Sequence, residues 1–346
     1  MEVLKNDSIK YGLFYMSAIV IMIAGLKAAS EIFVLLFLAI FIASIFSALL
    51  SYFSSKGVPK IFGYFSILVI IVFTIGLLTY IVSYSLKDLS VNIIQYEDKL
   101  RALVINILNG ENKLFGLIEI DKEQIIQSLE LKPFVNLSAS FIGGLGAFFS
   151  KLLLLSIGVA FILAESKSFQ KKLAIIFKED KSRIHSFQLF SHNIQKYFII
   201  KTFTSFLTGF VITVMLVFFG VDYPVLWGVL AFFLNFIPVI GSLVAALPAL
   251  ALSMIFLDVM STVWLGVLYF IINVSISNII EPKLMGKGLG LSPMFIFFSL
   301  IFWGWVLGIA GMFLAVPLTM TLKIALDSAV HTKWLGVLFS DLPAKG

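Results

Sequence analysis

Residues 233–250 read FLNFIPVIGSLVAALPAL, an apolar run interrupted by Asn235, Pro238, Gly241, Ser242 and Pro248. Downstream, Asn273 and Ser277 are four residues apart, Asn278 and Glu281 three apart, and Pro282 follows at once. A second broken apolar run carries Gly308 and Gly311. Spacings of three and four place side chains on one face of a helix. Amide, hydroxyl and carbonyl oxygens so placed suit Na⁺, and a carboxylate such as Glu281 is the group that can carry a proton. Glu281 also sits at the helix end with Lys283 two residues on, so an interfacial salt bridge between those two is an equal alternative.

Other chemistries are missing their parts. The chain has no Cys, which excludes thiolate metal sites, disulfides and Cys nucleophiles. His185 and His192 are seven apart with no third ligand beside them, and with His331 all three histidines lie outside the apolar runs. There is no H-E-x-x-H and no acidic pair on adjacent spans, so an enzyme is not expected. G-x-x-x-x-G-K-[ST] is absent, and GKGLGL at 286–291 follows an apolar helix instead of a strand, so ATP is not the direct energy source. No cofactor is expected beyond a transported Na⁺ or H⁺.

The elements that would position these residues are membrane helices. The 346 residues are 60% hydrophobic and 13% charged, with mean hydropathy +1.07. That composition describes an all-α polytopic membrane protein. Apolar runs at 12–26, 31–50, 61–84, 142–164, 203–220 and 260–280 give about six full spans. Two broken hairpins, 225–257 and 293–324, flank the last of them and bring the membrane segments to eight. The chain thus divides into spans 1–84, a polar segment 85–141, span 142–164, a basic segment 165–202, a transport core 203–325 and a tail 326–346.

Charge orients the layout. Residues 85–141 hold six Lys/Arg against eight Asp/Glu, whereas 165–201 hold eight against three. The positive-inside rule puts the basic segment and both termini in the cytoplasm, and 85–141 outside as a helical cap. The net charge of +6 reflects that bias and no nucleic-acid partner. In the cap, Leu86, Leu89, Ile93, Tyr96, Leu100, Leu103 and Ile107 form a heptad seam. It packs either on the following helix (DKEQIIQSL) or on another subunit. Inside, Ile184, Phe187, Phe190, Ile194, Tyr197 and Ile200 share a face, which predicts an amphipathic helix along the inner leaflet that turns into the fifth span.

The breaks at Pro238–Gly241 and Gly308–Gly311 admit two readings. They kink ordinary helical pairs for packing, or they expose backbone groups at membrane depth, where such groups survive only against protein or a polar cavity. Two broken hairpins entering from opposite faces is a transporter layout, and the polar side chains nearby favour that second reading.

These residues carry a resemblance. FLNFIPVIGSLVAALPAL resembles the N-F-I-P-x-x-G-x-x-x-A-x-x-P signature of the AI-2E family, the autoinducer-2 exporter family. EPKLMGKGLGLSPMFIFFSLIFWGWVLGIAGMFLAVPLTMTLK is similar to its P-K-x-M-G … L-x-P … G-x-x-G-x-x-L-A-x-P-L block. The likeness is specific over 221–325 and covers the rest by its pattern of spans. It implies a polytopic protein of the bacterial inner membrane that assembles with itself as a pentamer. It implies export of an autoinducer-2-like solute, or exchange of Na⁺ or Li⁺ for H⁺. The motif falls on Asn235, Pro238, Gly241, Pro282, Gly286, Pro293, Gly308, Gly311 and Pro317. A passive oligomeric channel and a membrane scaffold are the alternatives.

Overall fold

The computed structural model describes residues 2–109, 154–166, 181–238, 240–285, 290–328 and 332–340, with a few single helical positions between 151 and 176. Gly286, His331, the segment DKEQIIQSL, the start of the fourth span and the last six residues fall outside the described residues. Every described element is helical: α1 (Glu2–Ala28), α2 (Ser30–Ser55), α3 (Lys60–Asn109), α4 (Leu154–Ser166), α5 (Lys181–Phe219), α6 (Pro224–Leu234), α7 (Ile240–Phe256) and α8 (Val259–Val274). A π-helical turn (Ser275–Ile280) then leads into α9 (Glu281–Met285), α10 (Pro293–Ser328) and α11 (Lys333–Phe339).

Five stretches are long and apolar enough to cross a membrane without a break: Tyr11–Ala28, Ser30–Ser55, Ile61–Leu89, Ser191–Phe219 and Val259–Met285. A sixth, Pro293–Asp327, qualifies by length but is not one helix in space. Gly308 has φ 68° and ψ −154°, a conformation that only glycine tolerates. The Trp303 indole N–H donates to the Thr319 hydroxyl at 3.1 Å. In a straight helix sixteen residues would separate them by about 24 Å. The arms therefore fold back on each other at Gly308. Likewise α6 and α7 pack side by side.

One expectation needs correction. Lys181–Phe219 is one uninterrupted helix, so the basic segment does not turn before entering the fifth span. Its sequence has neither Pro nor Gly before Gly209, and nothing stops the helix from propagating. Tyr96, one residue of the heptad seam, is buried on the continuous 50-residue α3. Its hydroxyl lies 3.2 Å from Asp222 Oδ2 and 3.0 Å from the Tyr223 hydroxyl, and its ring packs edge-on to Phe256. Tyr223 in turn donates to Asp88 Oδ2 at 2.7 Å. Burial, with Tyr223 and Asp222 beside it, holds the Tyr96 proton well above the ordinary tyrosine range. Tyr96 thus docks on the short turn between α5 and α6.

The chain forms two compact units. The first joins residues 1–64, 155–199 and 285–346, and the second joins 65–154 and 200–284. In the first, the α10 hairpin packs on α2, α1 and α11. Phe295 stacks on Phe339 with ring centroids 4.5 Å apart. Lys27 sits 4.1 Å over the Trp305 ring. The second unit holds α6, α7, α8 and the π turn, and the polar cluster described next lies within it.

Candidate polar site of the second unit

The site is organised by a face of α5 that sequence reasoning missed. Lys201, Thr204, Ser205 and Thr208 stand at i, i+3, i+4 and i+7, so they share one helix face. All four are buried. Phe203, Phe206 and Phe210 point the other way and are exposed, as expected of a surface that meets lipid. The usual amphipathic logic is inverted here: the inward stripe is polar and the outward one aromatic. The signal was legible in KTFTSFLT, where polar residues recur every three or four places in an apolar run.

An ammonium group this deep needs a counter-charge and further hydrogen bonds. Lys201 Nζ donates to both carboxylate oxygens of Glu281, each at 2.9 Å. The Thr204 hydroxyl lies 3.2 Å from Glu281 Oε2. Side-chain exposure is 6% for Lys201 and 14% for Glu281, so both charges are shielded from solvent. The expected partner, Lys283, is exposed on α9 and makes no ion pair with Glu281 among the described residues.

The π turn explains how Glu281 reaches that position. A helix advances about 100° per residue, and i→i+5 bonding lowers this to roughly 82° by taking about 4.4 residues per turn. Counting from Tyr269 through Ser275–Ile280, Glu281 returns to within about 15° of the Tyr269 direction. An unbroken α-helix would put it about 120° away, on the side where Phe270 and Asn278 are exposed. One widened turn therefore moves a carboxylate from the outer face to the buried one.

Asn235 joins from the first broken hairpin. It caps the end of α6, and its Nδ2 donates to the buried Ser205 hydroxyl at 3.0 Å. The hairpin is tight: a Cβ on Gly241 would collide with the Leu234 carbonyl, so the first turn of α7 lies directly against the last turn of α6. A similar approach seats α6 on α5, where a Cβ on Gly209 would stand 2.6 Å from the Gly228 carbonyl.

Of the residues singled out in the sequence, Asn235 and Glu281 are thus gathered onto one face of α5, at Lys201, Thr204 and Ser205. Asn273 is buried on the Glu281 side of α8, with Nδ2 donating to the Tyr269 carbonyl at 2.8 Å. Pro238, Ser242 and Ser277 are half-buried, whereas Asn278 and Pro282 are exposed and stand apart from the cluster. Gly308 and Gly311 belong to the other unit. A paired Lys and Glu, a threonine, and an amide–serine pair on one buried face can hold two helices together by charge and release them when the pair separates.

Comparison with known proteins places the chain. A family model described as AI-2E family transporter matches residues 16–331. The chain is 33% identical over 326 residues to the AI-2 transport protein TqsA of Escherichia coli (strain K12), with 94% of each chain covered. It is also 33% identical over 344 residues to a relative from Haemophilus influenzae, covering 97% of this chain and 98% of that one. The YhhT protein of Escherichia coli (strain K12) is 28% identical over 326 residues, 94% of this chain and 93% of its own.

Proposed function

This chain belongs to the AI-2E transporter family, and we propose that it is a secondary transporter of a bacterial inner membrane that exports a small organic solute through the polar cluster of its second unit. The observation that carries this reading is the buried Lys201–Glu281 pair. Ionised side chains within membrane-crossing helices are costly and generally serve a pathway. Here the pair joins α5 to the start of α9. A route along α5 opens when the two charges part and closes when they meet. Without a nucleotide-binding loop, the energy comes from a gradient. The name of the relative TqsA supports a solute of the AI-2 kind, and the family likeness supports self-assembly into a homo-oligomer.

Cation–proton exchange is the second reading, favoured by the presence of one carboxylate, Glu281, in the cluster. The geometry makes it the more demanding of the two. Lys201 Nζ already occupies the place beside both Glu281 oxygens where a proton or Na⁺ would sit, so exchange requires Lys201 to withdraw first.

Purified protein in proteoliposomes tests both. AI-2 loaded inside should leave through the wild type and be retained by Glu281→Gln and Asn235→Ala. A trapped pH dye under an inward Na⁺ gradient reads the alternative. Na⁺-dependent proton efflux that falls in the same variants would replace solute export with ion exchange. Neither flux in the wild type would remove the transport reading.

A further inference from the structure

We propose that the buried face of α8 between Thr262 and Asn273 is a binding strip for a neutral, hydroxyl-bearing small molecule, an inference that rests on the transport reading for what the strip is for. Of four buried side-chain oxygens without a hydrogen-bond partner among the described residues, one is Thr202 Oγ1 on α5 and three lie on this face: Thr262 Oγ1, the Tyr269 hydroxyl and Asn273 Oδ1. Tyr269 is 2% exposed and Asn273 8%, so bulk water does not satisfy them. Buried polar atoms are nearly always paired, and a row of unpaired ones signals a partner other than the protein. Spacings of seven and four put all three within about 40° around the helix axis. Chance orphans would be scattered around it.

The middle of the face carries no side chain. Gly266 lies between Thr262 and Tyr269, and a Cβ there would meet only the Leu250 side chain, at 3.7 and 4.0 Å, which is ordinary contact. Long side chains on a helix lean toward its N-terminus, which carries the Tyr269 hydroxyl back toward Gly266. At Asn273 the amide N–H is committed to the Tyr269 carbonyl, which leaves Oδ1 as a free acceptor. The strip therefore offers two hydroxyls, each able to donate or accept, and one carbonyl oxygen.

The charge balance selects the ligand class. No ionised group belongs to the strip, and the nearest pair along the same helix face, Glu281 with Lys201, is closed on itself. A charged ligand would be buried here without a counter-ion, which is far costlier than burying a neutral one. A molecule with hydroxyl and carbonyl groups could satisfy all three oxygens. Because the π turn keeps Ser277 and Glu281 on this face, a solute held by Tyr269 and Asn273 lies in line with the ion pair that would admit or stop it.

The test is thermal unfolding of the purified protein in lipid nanodiscs, with D-ribose as the neutral probe, NaCl against choline chloride as the cation probe and sucrose as the osmolyte control. D-ribose should raise Tm saturably in the wild type. Tyr269→Phe and Thr262→Val each remove a hydroxyl that holds nothing in the protein, so both should fold with an unchanged Tm. Each should bind ribose about tenfold more weakly, the loss of one hydrogen bond. A saturable Na⁺ shift with the same dependence on Tyr269 overturns the neutral class. No shift from either probe overturns the strip. Ribose binding together with an absence of AI-2 efflux from the wild type removes the transport reading and leaves the strip standing.

Discussion

The two broken hairpins are built alike and equipped differently. In each, a glycine at the start of the returning arm lies against a carbonyl near the end of the outgoing one: Gly241 against Leu234, and Gly311 against Trp303. Each returning arm then contains a buried proline, Pro248 or Pro317. The first hairpin reaches outside itself, through Asn235 to Ser205 on α5. Among the described residues, the side-chain hydrogen bonds of the second stay within it, with Trp303 bonded to Thr319, Ser299 to the Ile296 carbonyl and Thr321 to the Pro317 carbonyl. Its turn, at Gly308, is exposed. The shared parts make a tight reversal in an apolar chain, and the unshared amide marks which reversal belongs to a site. Broken helices alone do not identify a pathway.

The contrast can be broken at several points. Lys201→Met should act most strongly, because it strands the Glu281 carboxylate in a buried setting and costs about 3–5 kcal/mol. Adding Glu281→Gln should restore much of the Tm in nanodiscs without restoring AI-2 efflux. Recovery of both would make the pair purely structural. Next come Gly241→Ala and Gly311→Ala, which force a methyl into a backbone carbonyl and should each cost about 1–3 kcal/mol. Similar Tm losses for the two would confirm that the reversals share one design.

A finer cut compares Asn235→Ala with Thr319→Val, each of which removes one side-chain hydrogen bond worth about 1 kcal/mol. Efflux should fall for Asn235→Ala and persist for Thr319→Val. Equal effects would erase the difference between the hairpins. The smallest effect concerns the cap of α8, just after the first hairpin. The Ser261 hydroxyl, and then its backbone N–H, hold the Asp258 carboxyl below the ordinary value of 3.8. A carboxyl so lowered stabilises the fold above its ordinary value, and this contribution is lost as pH falls through the lowered one. Tm should therefore decline slightly on acidification below pH 4, and Asp258→Asn should flatten that slope.

What could be read from the sequence follows from which residues announce themselves. Pro238, Gly241, Gly308 and Gly311 interrupt apolar runs, and proline and glycine break helices for local reasons, so both hairpins were legible. Spans were legible from length and hydropathy. The Lys201 stripe was hidden by its position. Lys201 reads as the last charge of a basic segment, and Thr204, Ser205 and Thr208 are mild enough to pass inside a span. Charge proximity along the chain suggested Lys283 for Glu281, yet the partner lies eighty residues earlier. The π turn has no compositional mark, since SISNII would serve equally in an α-helix. Without it, no counting of faces places Glu281 inward. The seam on α3 was visible as a period, but a period does not name the surface it meets.

The π turn also makes the location of Glu281 a matter of whole numbers. Helix register is counted in residues, and a carboxylate cannot be carried partway around a helix by bending it. With one widened turn the chain meets Lys201; with that turn relaxed to α geometry it faces away by about 100°, and there is no stable setting between. Removing one residue between Ser275 and Ile280 as the turn relaxes would keep Glu281 within about 20° of the Tyr269 direction, so the widened turn and the extra residue it holds act together as one unit that sets the address of a single side chain.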